Sequence, residues 1–238
     1  MGSLNMKKTT AIITAAGSGK RMDSAIKKQY LELQHKSILS HTLEKFEKID
    51  RIDDIILVCP KEDIEFVRNE IIKKYDYKKI ISVIAGGKER QNSVFNALQN
   101  TKCRYDDIIL IHDGVRPFVS EDSVLNSIDN AIEFGAAVVG VRPKNTIKTL
   151  RSGSINETLN RDVLFSVQTP QTFQFDIIKN CYDKAFEDKF FSTDDSALVE
   201  KYADHIQIVP VEGDYFNIKI TTEEDLVFAK AILEKKDE

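Results

Sequence analysis

The chain has 238 residues, with 34 Lys and Arg against 38 Asp and Glu, so its formal net charge is −4 at pH 7. Hydrophobic residues make up 42% and charged residues 30%, proportions typical of a globular protein that buries a sizeable core. The slightly acidic balance argues against non-specific nucleic-acid binding, and no apolar run approaches the roughly 18 residues of a membrane span.

The three cysteines, Cys59, Cys103 and Cys181, are widely spaced and form no Cys-x-x-Cys pair. We therefore expect reduced thiols in a cytoplasmic protein rather than a zinc site or a disulfide framework. Residues 1–5 precede a second methionine, Met6, and have the composition of an added leader, with no secretory signal peptide. The chain is predicted to form one domain over residues 6–238.

Short apolar runs alternate with helical patterns along the first 141 residues. Because helices of 10–15 residues separate the runs, the pattern indicates βαβ crossovers and a mostly parallel sheet. Runs such as Ile-Ile-Leu-Val are apolar on both faces, as in a sheet covered by helices on both sides. The predicted fold is a three-layer, doubly wound, Rossmann-like α/β domain. Its predicted strands are Thr10 to Ala15, Asp54 to Cys59, Ile80 to Ala85, Ile108 to His112 and Ala136 to Val141, with helices at about 37–49, 62–76, 91–100 and 121–134.

Residues 142–165 interrupt this alternation with a predicted β-hairpin, whose turn is Arg151-Ser152-Gly153-Ser154. An isolated two-stranded hairpin is marginal in water, so this one needs support from its own domain or from a second subunit, and the pattern does not choose between them. The rest of the chain is predicted to hold helices at about 175–188 and 195–203, a strand near Ile206 to Val211, and a last helix with a capping box at Thr221 to Glu224.

The first strand leads into a loop of small residues and cations, Ala15-Ala16-Gly17-Ser18-Gly19-Lys20-Arg21-Met22. Open α/β sheets bind ligands at the carboxyl ends of their strands, and small residues let backbone N–H groups approach a phosphate. The loop is not a Walker A sequence, because Arg21 stands where Ser or Thr is required, and Met22 breaks the G-x-G-x-x-G pattern. We interpret it as a phosphate-binding turn, with a plain βα turn as the alternative.

Further charged groups follow this loop and the fourth strand. Lys27 and Lys28 lie where a triphosphate, with about four negative charges, needs partners; a solvated lysine pair is the alternative. Asp113 is placed to hold Mg²⁺ and Arg116 to bind a phosphate, with a turn and an ion pair as the alternative. The loop Gly86 to Ser93 is a candidate for base or ribose contacts, or a simple connection. The four scattered histidines and the absence of a nucleophile motif argue against a hydrolase or a metalloprotease.

Eight polar segments, from about Thr10 to the last helix, match the motifs of one family in order. They are A-A-G-S-G-K-R-M from Ala15, K-Q-Y from Lys28, G-G-x-E-R from Gly86, H-D-G-x-R-P-F from His112, T-I-K from Thr146, Q-T-P-Q from Gln168, T-D-D from Thr193 and N-I-K-x-T from Asn217. Together they resemble the 2-C-methyl-D-erythritol 4-phosphate cytidylyltransferase family of the non-mevalonate isoprenoid pathway.

The resemblance implies that CTP and methylerythritol phosphate give CDP-methylerythritol and pyrophosphate, in a homodimer whose hairpin is an arm that crosses to the second subunit. The implied partners are CTP and a sugar-alcohol phosphate, without nucleic acid or a membrane. The implied CTP pocket comprises Ala15, Ala16, Gly17, Gly19, Gly87, Lys88 and Ser93. The implied catalytic set is Arg21, Lys28, Arg161 and Lys219, with Arg116, Thr146, Thr169 and Thr193 for the sugar phosphate and Asp113 for Mg²⁺ or another divalent cation.

Two positions depart from the family pattern, which usually has Pro at the position of Lys27 and Asp at that of Asn145. The first departure leaves open whether Lys27 or Lys28 contacts the phosphate. A sister family of ribitol-5-phosphate cytidylyltransferases shares the glycine loop and the arm, but A-A-G and T-D-D match the first family better. A nucleotide-binding regulator is a further alternative, disfavoured by the intact charged residues. A dinucleotide-binding oxidoreductase is another, disfavoured by the missing G-x-G-x-x-G.

Overall fold

The computed structural model describes residues 7–17 and 26–237, which form eleven strands and seven helices within that part of the chain. The strands are β1 (Thr9–Thr14), β2 (Glu32–Leu33), β3 (Lys36–Ser37), β4 (Asp54–Cys59), β5 (Ile80–Ala85), β6 (Ile108–Asp113), β7 (Ala136–Val141), β8 (Lys148–Arg151), β9 (Ser154–Thr158), β10 (Ser166–Gln174) and β11 (Ile208–Glu212). The helices are α1 (Ile38–Lys48), α2 (Ile64–Phe66, continued by the π-helical Val67–Lys73), α3 (Arg90–Asn100), α4 (Glu121–Phe134), α5 (Phe175–Glu187), α6 (Ser196–Tyr202) and α7 (Glu223–Asp237).

A mixed seven-stranded sheet with the order β11-β7-β10-β6-β1-β4-β5 lies at the centre of the molecule. Its neighbours pair in parallel except at β10, which is antiparallel to both β6 and β7. The parallel strands β1, β4, β5 and β6 therefore end at the same edge of the sheet, where the predicted ligand-binding loops begin.

Helices cover both faces of this sheet, because successive residues of the buried strands point to opposite sides. Ile13 of β1 packs with Phe46 of α1 and Ile128 of α4, while its neighbour Ile12 packs with Leu98 of α3 and Tyr182 of α5. α7 closes a third, smaller cluster beside β2. None of the described helices is both long and apolar enough to cross a membrane.

The predicted three-layer α/β fold is confirmed. The five strands predicted before residue 142 are β1, β4, β5, β6 and β7, and each lies within one residue of its predicted bounds. The strand β10 was not predicted, because we interpreted its Gln-Thr-Pro-Gln sequence as a turn or a helix cap. The last helix is capped by Thr222 and Asp225 rather than by Thr221 and Glu224, since Asp225 Oδ2 accepts the backbone N–H of Thr222 at 2.9 Å. The interpretation of residues 1–5 as a leader lies outside the described residues.

The predicted hairpin forms within residues 142–165 as the antiparallel pair β8 and β9. It is a separate two-stranded sheet, and its residues are exposed or half-buried. Leu150 pairs directly with Ile155 across the hairpin, and their exposed fractions are 73% and 66%. The hairpin thus presents an apolar pair that the described part of its own chain does not cover.

Candidate active site

A cleft of about 540 Å³ opens where β1, β5 and β6 end. Four of its described lining side chains are cationic and two are carboxylates, so the cleft attracts anions before any ligand enters. Its lining residues are Thr14, Ala15, Ala16, Gly17, Lys28, Gln29, Gly87, Lys88, Glu89, Arg90, Ser93, Asp113, Val115, Lys219 and Thr221.

Two glycines let the loops after β1 and β5 form one wall of the cleft. A Cβ atom on Gly86 would lie 2.2 Å from the Cβ of Ala16, and one on Gly87 would lie 2.3 Å from the Cβ of Asn92. Because Cβ atoms do not approach so closely, this backbone arrangement requires glycine at both positions. The Gly87 N–H donates to Ser93 Oγ at 3.1 Å, which holds the loop against the start of α3.

The 3₁₀ turn Lys28–Tyr30 is tied to the glycine-rich loop by a buried side chain. Gln29 Nε2 donates to the carbonyl oxygen of Ala15 at 2.8 Å. Lys28 lines the cleft, whereas the Nζ of Lys27 is ion-paired with Glu62 and Asp63. Of the two lysines that the sequence left open, Lys28 is therefore the one placed at the cleft.

Asp113 ends β6 and lies among three cations. Arg90 Nε is 3.1 Å from Oδ1, while Arg116 Nε and Lys219 Nζ are 3.3 Å and 3.0 Å from Oδ2. Burial alone would raise the pKa of the Asp113 carboxyl, but the charges of Arg90, Lys219 and Arg116 outweigh it and hold that pKa well below its usual range. The side chain is therefore a carboxylate at neutral pH.

Two buried polar side chains, those of His112 and Thr169, hold the backbone of Asp113 in place. Burial lowers the pKa of His112 to about 4, so its ring is neutral at pH 7. His112 Nε2 lies 3.1 Å from the carbonyl oxygen of Arg116, which only accepts, so Nε2 carries the proton and Nδ1 accepts from the Thr169 hydroxyl at 3.0 Å. The Thr169 oxygen in turn accepts the backbone N–H of Asp113 at 3.2 Å. This series of hydrogen bonds fixes the backbone from which the Asp113 carboxylate projects.

Arg90 is a charged cleft residue that was not among the predicted site residues. It lies within the G-G-x-E-R motif, but that motif was assigned only to nucleotide contacts from Gly87, Lys88 and Ser93. Arg90 Nη2 is 2.8 Å from Asp195 Oδ2, so its guanidinium bridges Asp113 and a carboxylate 105 residues away in sequence. The motif match was a signal that could have identified Arg90, while nothing in the sequence paired it with Asp195.

Most of the predicted nucleotide-binding residues come together at the cleft. Arg116 lies behind Asp113 and also donates from Nη1 to the Asn217 carbonyl oxygen at 2.8 Å. The predicted residues at the cleft are Ala15, Ala16, Gly17, Lys28, Gly87, Lys88, Ser93, Asp113 and Lys219. Gly19 and Arg21 lie outside the described residues.

Arg116, predicted to bind the sugar phosphate, contacts Asp113, but the other residues of that predicted set do not line the cleft of this single chain. Thr169 is buried beneath Asp113, and Thr193 is exposed in the loop before α6. Thr146 and Arg161 are exposed on the hairpin segment, where Arg161 Nη1 donates to the Lys144 carbonyl oxygen at 2.8 Å and lines a separate cavity of about 350 Å³.

The donor set around Asp113 fits a cation that arrives together with a polyphosphate. Within residues 7–17 and 26–237, no group of three or more His, Cys, Asp or Glu side chains is arranged to hold a metal ion. Mg²⁺ accepts sparse protein ligation, because phosphate oxygens and waters complete its octahedron. Among the described residues, Oδ1 of Asp113 contacts Arg90 at 3.1 Å and the Thr14 hydroxyl at 3.5 Å, and a metal ion can replace the second, weaker contact.

Comparison with known proteins decides the family. The model of the 2-C-methyl-D-erythritol 4-phosphate cytidylyltransferase family matches residues 9–235. The chain belongs to this family. A cytidylyltransferase of this name from Clostridium botulinum is 45% identical over 231 residues, which cover 97% of this chain and 99% of the relative. One from Geotalea uraniireducens is 43% identical over 227 residues, covering 95% and 97%.

Solved structures of the cytidylyltransferase family share the fold. The 4-diphosphocytidyl-2C-methyl-D-erythritol synthase from Anaerococcus prevotii is 36% identical, with a TM-score of 0.85 and 96% coverage of both chains. The Francisella tularensis 2-C-methyl-D-erythritol 4-phosphate cytidylyltransferase is 32% identical, with a TM-score of 0.79 and coverage of 94% and 99%. These findings confirm the predicted family and the predicted enzyme class. They support 2-C-methyl-D-erythritol 4-phosphate, rather than ribitol 5-phosphate, as the acceptor substrate.

Proposed function

We propose that this chain transfers the cytidylyl group of CTP to 2-C-methyl-D-erythritol 4-phosphate, giving CDP-methylerythritol and pyrophosphate for isoprenoid precursor synthesis. The observation that carries the proposal is the family's motif set folded into one cationic cleft at the carboxyl ends of β1, β5 and β6. In this arrangement the triphosphate lies along the backbone of Ala15 to Gly17, and the cytidine lies against the loop of Gly87, Lys88 and Ser93.

The chemistry needs positioned cations more than a general base. A phosphomonoester has a second pKa of about 6, so the attacking oxygen is largely anionic at pH 7. That oxygen forms a bond to the α-phosphorus of CTP. The bond from the α-phosphorus to the oxygen that joins it to the β-phosphorus breaks, and pyrophosphate leaves with that oxygen. Lys28 and Lys219 are placed at the cleft to stabilise the charge that develops, as preorganised cations do in phosphoryl transfer. Arg21, from the same loop motif, belongs to the proposed catalytic set.

Mg²⁺ is the proposed cofactor, held by Asp113 together with the phosphates of CTP. When bound, the ion neutralises phosphate charge and polarises the phosphoryl oxygens. The chain's own contribution is to keep Asp113 ionised, through Arg90, Lys219 and Arg116, and to fix its backbone through Thr169.

A homodimer formed through the hairpin is the proposed assembly. The exposed apolar pair of Leu150 and Ile155 needs a cover, and a second copy of the chain supplies one. Exchange of the arms would bring Thr146 and Arg161 of one subunit to the cleft of the other, where they would hold the sugar phosphate with Thr193. Such an exchange explains why Thr146 and Arg161 do not line the cleft of their own chain.

The dimer is tested by replacing Leu150 and Ile155 together with lysine. We expect the wild type to have twice the 27.1 kDa chain mass in size-exclusion chromatography with light scattering, and the double variant to have the single-chain mass. Asn156→Lys, next to Ile155 in sequence, is the control. The Asn156 side chain donates to Thr149 Oγ1 at 3.2 Å, and Thr149 points to the face of the hairpin opposite Leu150, so this variant should remain a dimer. A wild type of single-chain mass would contradict the assembly.

Arm exchange itself is tested by mixing two inactive variants, Lys28→Ala and Arg161→Ala. If each arm serves the opposite cleft, mixed dimers contain one intact site, and subunit exchange restores about a quarter of the wild-type activity. If each arm serves its own cleft, no activity returns.

A cytoplasmic location completes the proposal, supported by the three free cysteines and by substrates that are phosphorylated metabolites. The decisive assay is pyrophosphate release from CTP and Mg²⁺, with 2-C-methyl-D-erythritol 4-phosphate and ribitol 5-phosphate in parallel reactions. We expect release with the first acceptor alone. Pyrophosphate release with ribitol 5-phosphate alone would make the chain a ribitol-5-phosphate cytidylyltransferase. No release with either acceptor would favour a nucleotide-binding protein without this activity.

A further inference from the structure

A network of ion pairs and hydrogen bonds runs from Asp113 to the interior of the helical layer. Arg90 contacts Asp113 through Nε and Asp195 through Nη2, and Asp195 Oδ1 accepts the Tyr182 hydroxyl at 2.5 Å. Asp195 is fully buried, Tyr182 is 1% exposed, and the Arg90 side chain is 26% exposed. The carboxylate of Asp195 is thus committed to Arg90 and Tyr182.

The end of this network farthest from Asp113 lies in the loop that carries Thr193. Gln91, next to Arg90 on α3, accepts the Ser192 N–H at 2.8 Å and donates to the Phe190 carbonyl oxygen at 2.9 Å. From the other side, Gln171 Oε1 accepts the Asp195 N–H at 3.0 Å. The loop of residues 190–195 is therefore attached to the same turn of α3 that contacts Asp113.

The geometry of arginine is essential to this link. Its guanidinium is a rigid fork, so contacts from Nε and Nη2 to two different carboxylates fix the separation of those carboxylates. A lysine at position 90 would keep the charge but could contact both carboxylates only through one atom. Stability is a weak explanation for such a network, because the desolvation of buried ion pairs offsets most of their attraction.

We propose that Arg90 is a positioning residue that fixes Asp113 relative to the loop of residues 190–195, with Asp195 and Tyr182 holding its guanidinium. The inference rests on the proposed function, in which Asp113 faces the nucleotide phosphates and Thr193 the sugar phosphate. Arg90 thereby sets the distance between the two reacting phosphates without taking part in the bond changes.

Three variants test the role: Arg90→Lys, Asp195→Asn and Tyr182→Phe. We expect each to lower kcat with methylerythritol phosphate by about 10- to 100-fold, as loss of partners behind a ligating carboxylate does. The gain in CTP affinity on adding Mg²⁺, measured by calorimetry without turnover, should shrink by about tenfold, while CTP affinity without Mg²⁺ stays within about threefold of the wild type. Tyr182→Phe removes one hydroxyl and no charge, so it keeps the test available if the charge variants do not fold.

Arg104→Lys and Tyr77→Phe are matched controls away from the cleft. Arg104 is paired with the buried Asp107, and the Tyr77 hydroxyl donates to the Ser40 carbonyl oxygen at 2.9 Å. Both controls should keep wild-type kcat. If the three test variants lower only the melting temperature, with kcat, KM and the magnesium-dependent gain unchanged, Arg90 is merely structural and the proposal is overturned. A wild type that is inactive with methylerythritol phosphate would count against the proposed function alone, because the calorimetric comparison needs no turnover.

Discussion

Lys27 Nζ lies 2.8 Å from Asp63 Oδ2 and 2.7 Å from Glu62 Oε1, so the residue that stands where the family usually has proline is engaged by two carboxylates. Glu62 and Asp63 belong to the 3₁₀ turn Lys61–Asp63, which follows β4. The substitution therefore joins the turn before β2 to a neighbouring strand end. It does not place Lys27 among the described lining residues of the cleft.

Lys28→Ala is expected to lower kcat by on the order of 10²-fold or more, because it removes one preorganised cation from the developing charge. Lys27→Ala is the matched control. It should leave kcat within about twofold of the wild type and cost at most about 1 kcal/mol of stability, as partly exposed ion pairs do. Steady-state kinetics at saturating CTP separate the two lysines. A larger loss of kcat for Lys27→Ala than for Lys28→Ala would reverse the assignment.

Mg²⁺ is expected to bind this protein only together with CTP. Three cations already surround Asp113, so a divalent ion meets repulsion until the triphosphate supplies its negative charge. Electron paramagnetic resonance of Mn²⁺, used as the probe ion, should detect bound metal with CTP present and essentially none without it. Tight binding of Mn²⁺ to the protein alone would contradict this expected dependence on CTP.

Asp113→Asn should raise the Mg²⁺ concentration for half-maximal activity by about tenfold or more. Glu89→Gln provides the comparison, because Glu89 is the other carboxylate among the described lining residues and its side chain caps α3. The amide keeps an oxygen for that cap, so the magnesium requirement of Glu89→Gln should change little.

The elements that the sequence predicted are those whose apolar pattern is local. β4 and β6 are continuous apolar runs, and such runs need a sheet covered on both sides. β10 escaped because its one fully buried large apolar residue is Phe173, and because proline is rare inside a sheet. Here Pro170 falls within the register shift between Val167 and Gln171, where the ladder to β7 is interrupted. Only the pairing with β6 and β7 makes this polar segment a strand.

The candidate site was predictable to the same extent. The rule that strand ends share an edge brings Gly17, Gly87 and Asp113 together without any coordinates. The ion pair of Arg90 and Asp195 joins the start of a helix to a loop 105 residues later, and a local sequence pattern cannot indicate such a pair. The sequence also could not show which subunit's cleft Arg161 serves, because that depends on a second chain.

The cysteines should be poorly reactive in the folded protein. Burial raises the pKa of Cys59 to about 12 and that of Cys181 to about 11, so their thiolate fractions at pH 8 are small. Reaction with an aromatic disulfide reagent at pH 8 should be at least about 100-fold slower than for a free thiol. Cys103 is half-buried and should react first, and all three thiols should react in urea. Rapid titration of two or more thiols in the native protein would contradict this account.

Thr169 is expected to act through Asp113 rather than by contact with the sugar phosphate, because its buried hydroxyl already joins His112 to the Asp113 backbone. Thr169→Val leaves His112 Nδ1 and the Asp113 N–H without a partner, which should cost about 1–3 kcal/mol in urea unfolding. It should also lower kcat more than it raises the KM for the sugar phosphate, and Thr169→Ser should restore both quantities. Thr172→Val on the same strand breaks a comparable buried contact, with Ser127 at 2.8 Å, and should lower stability while leaving kcat unchanged. A Thr169→Val enzyme with normal kcat and a raised KM would instead make Thr169 a direct ligand of the sugar phosphate.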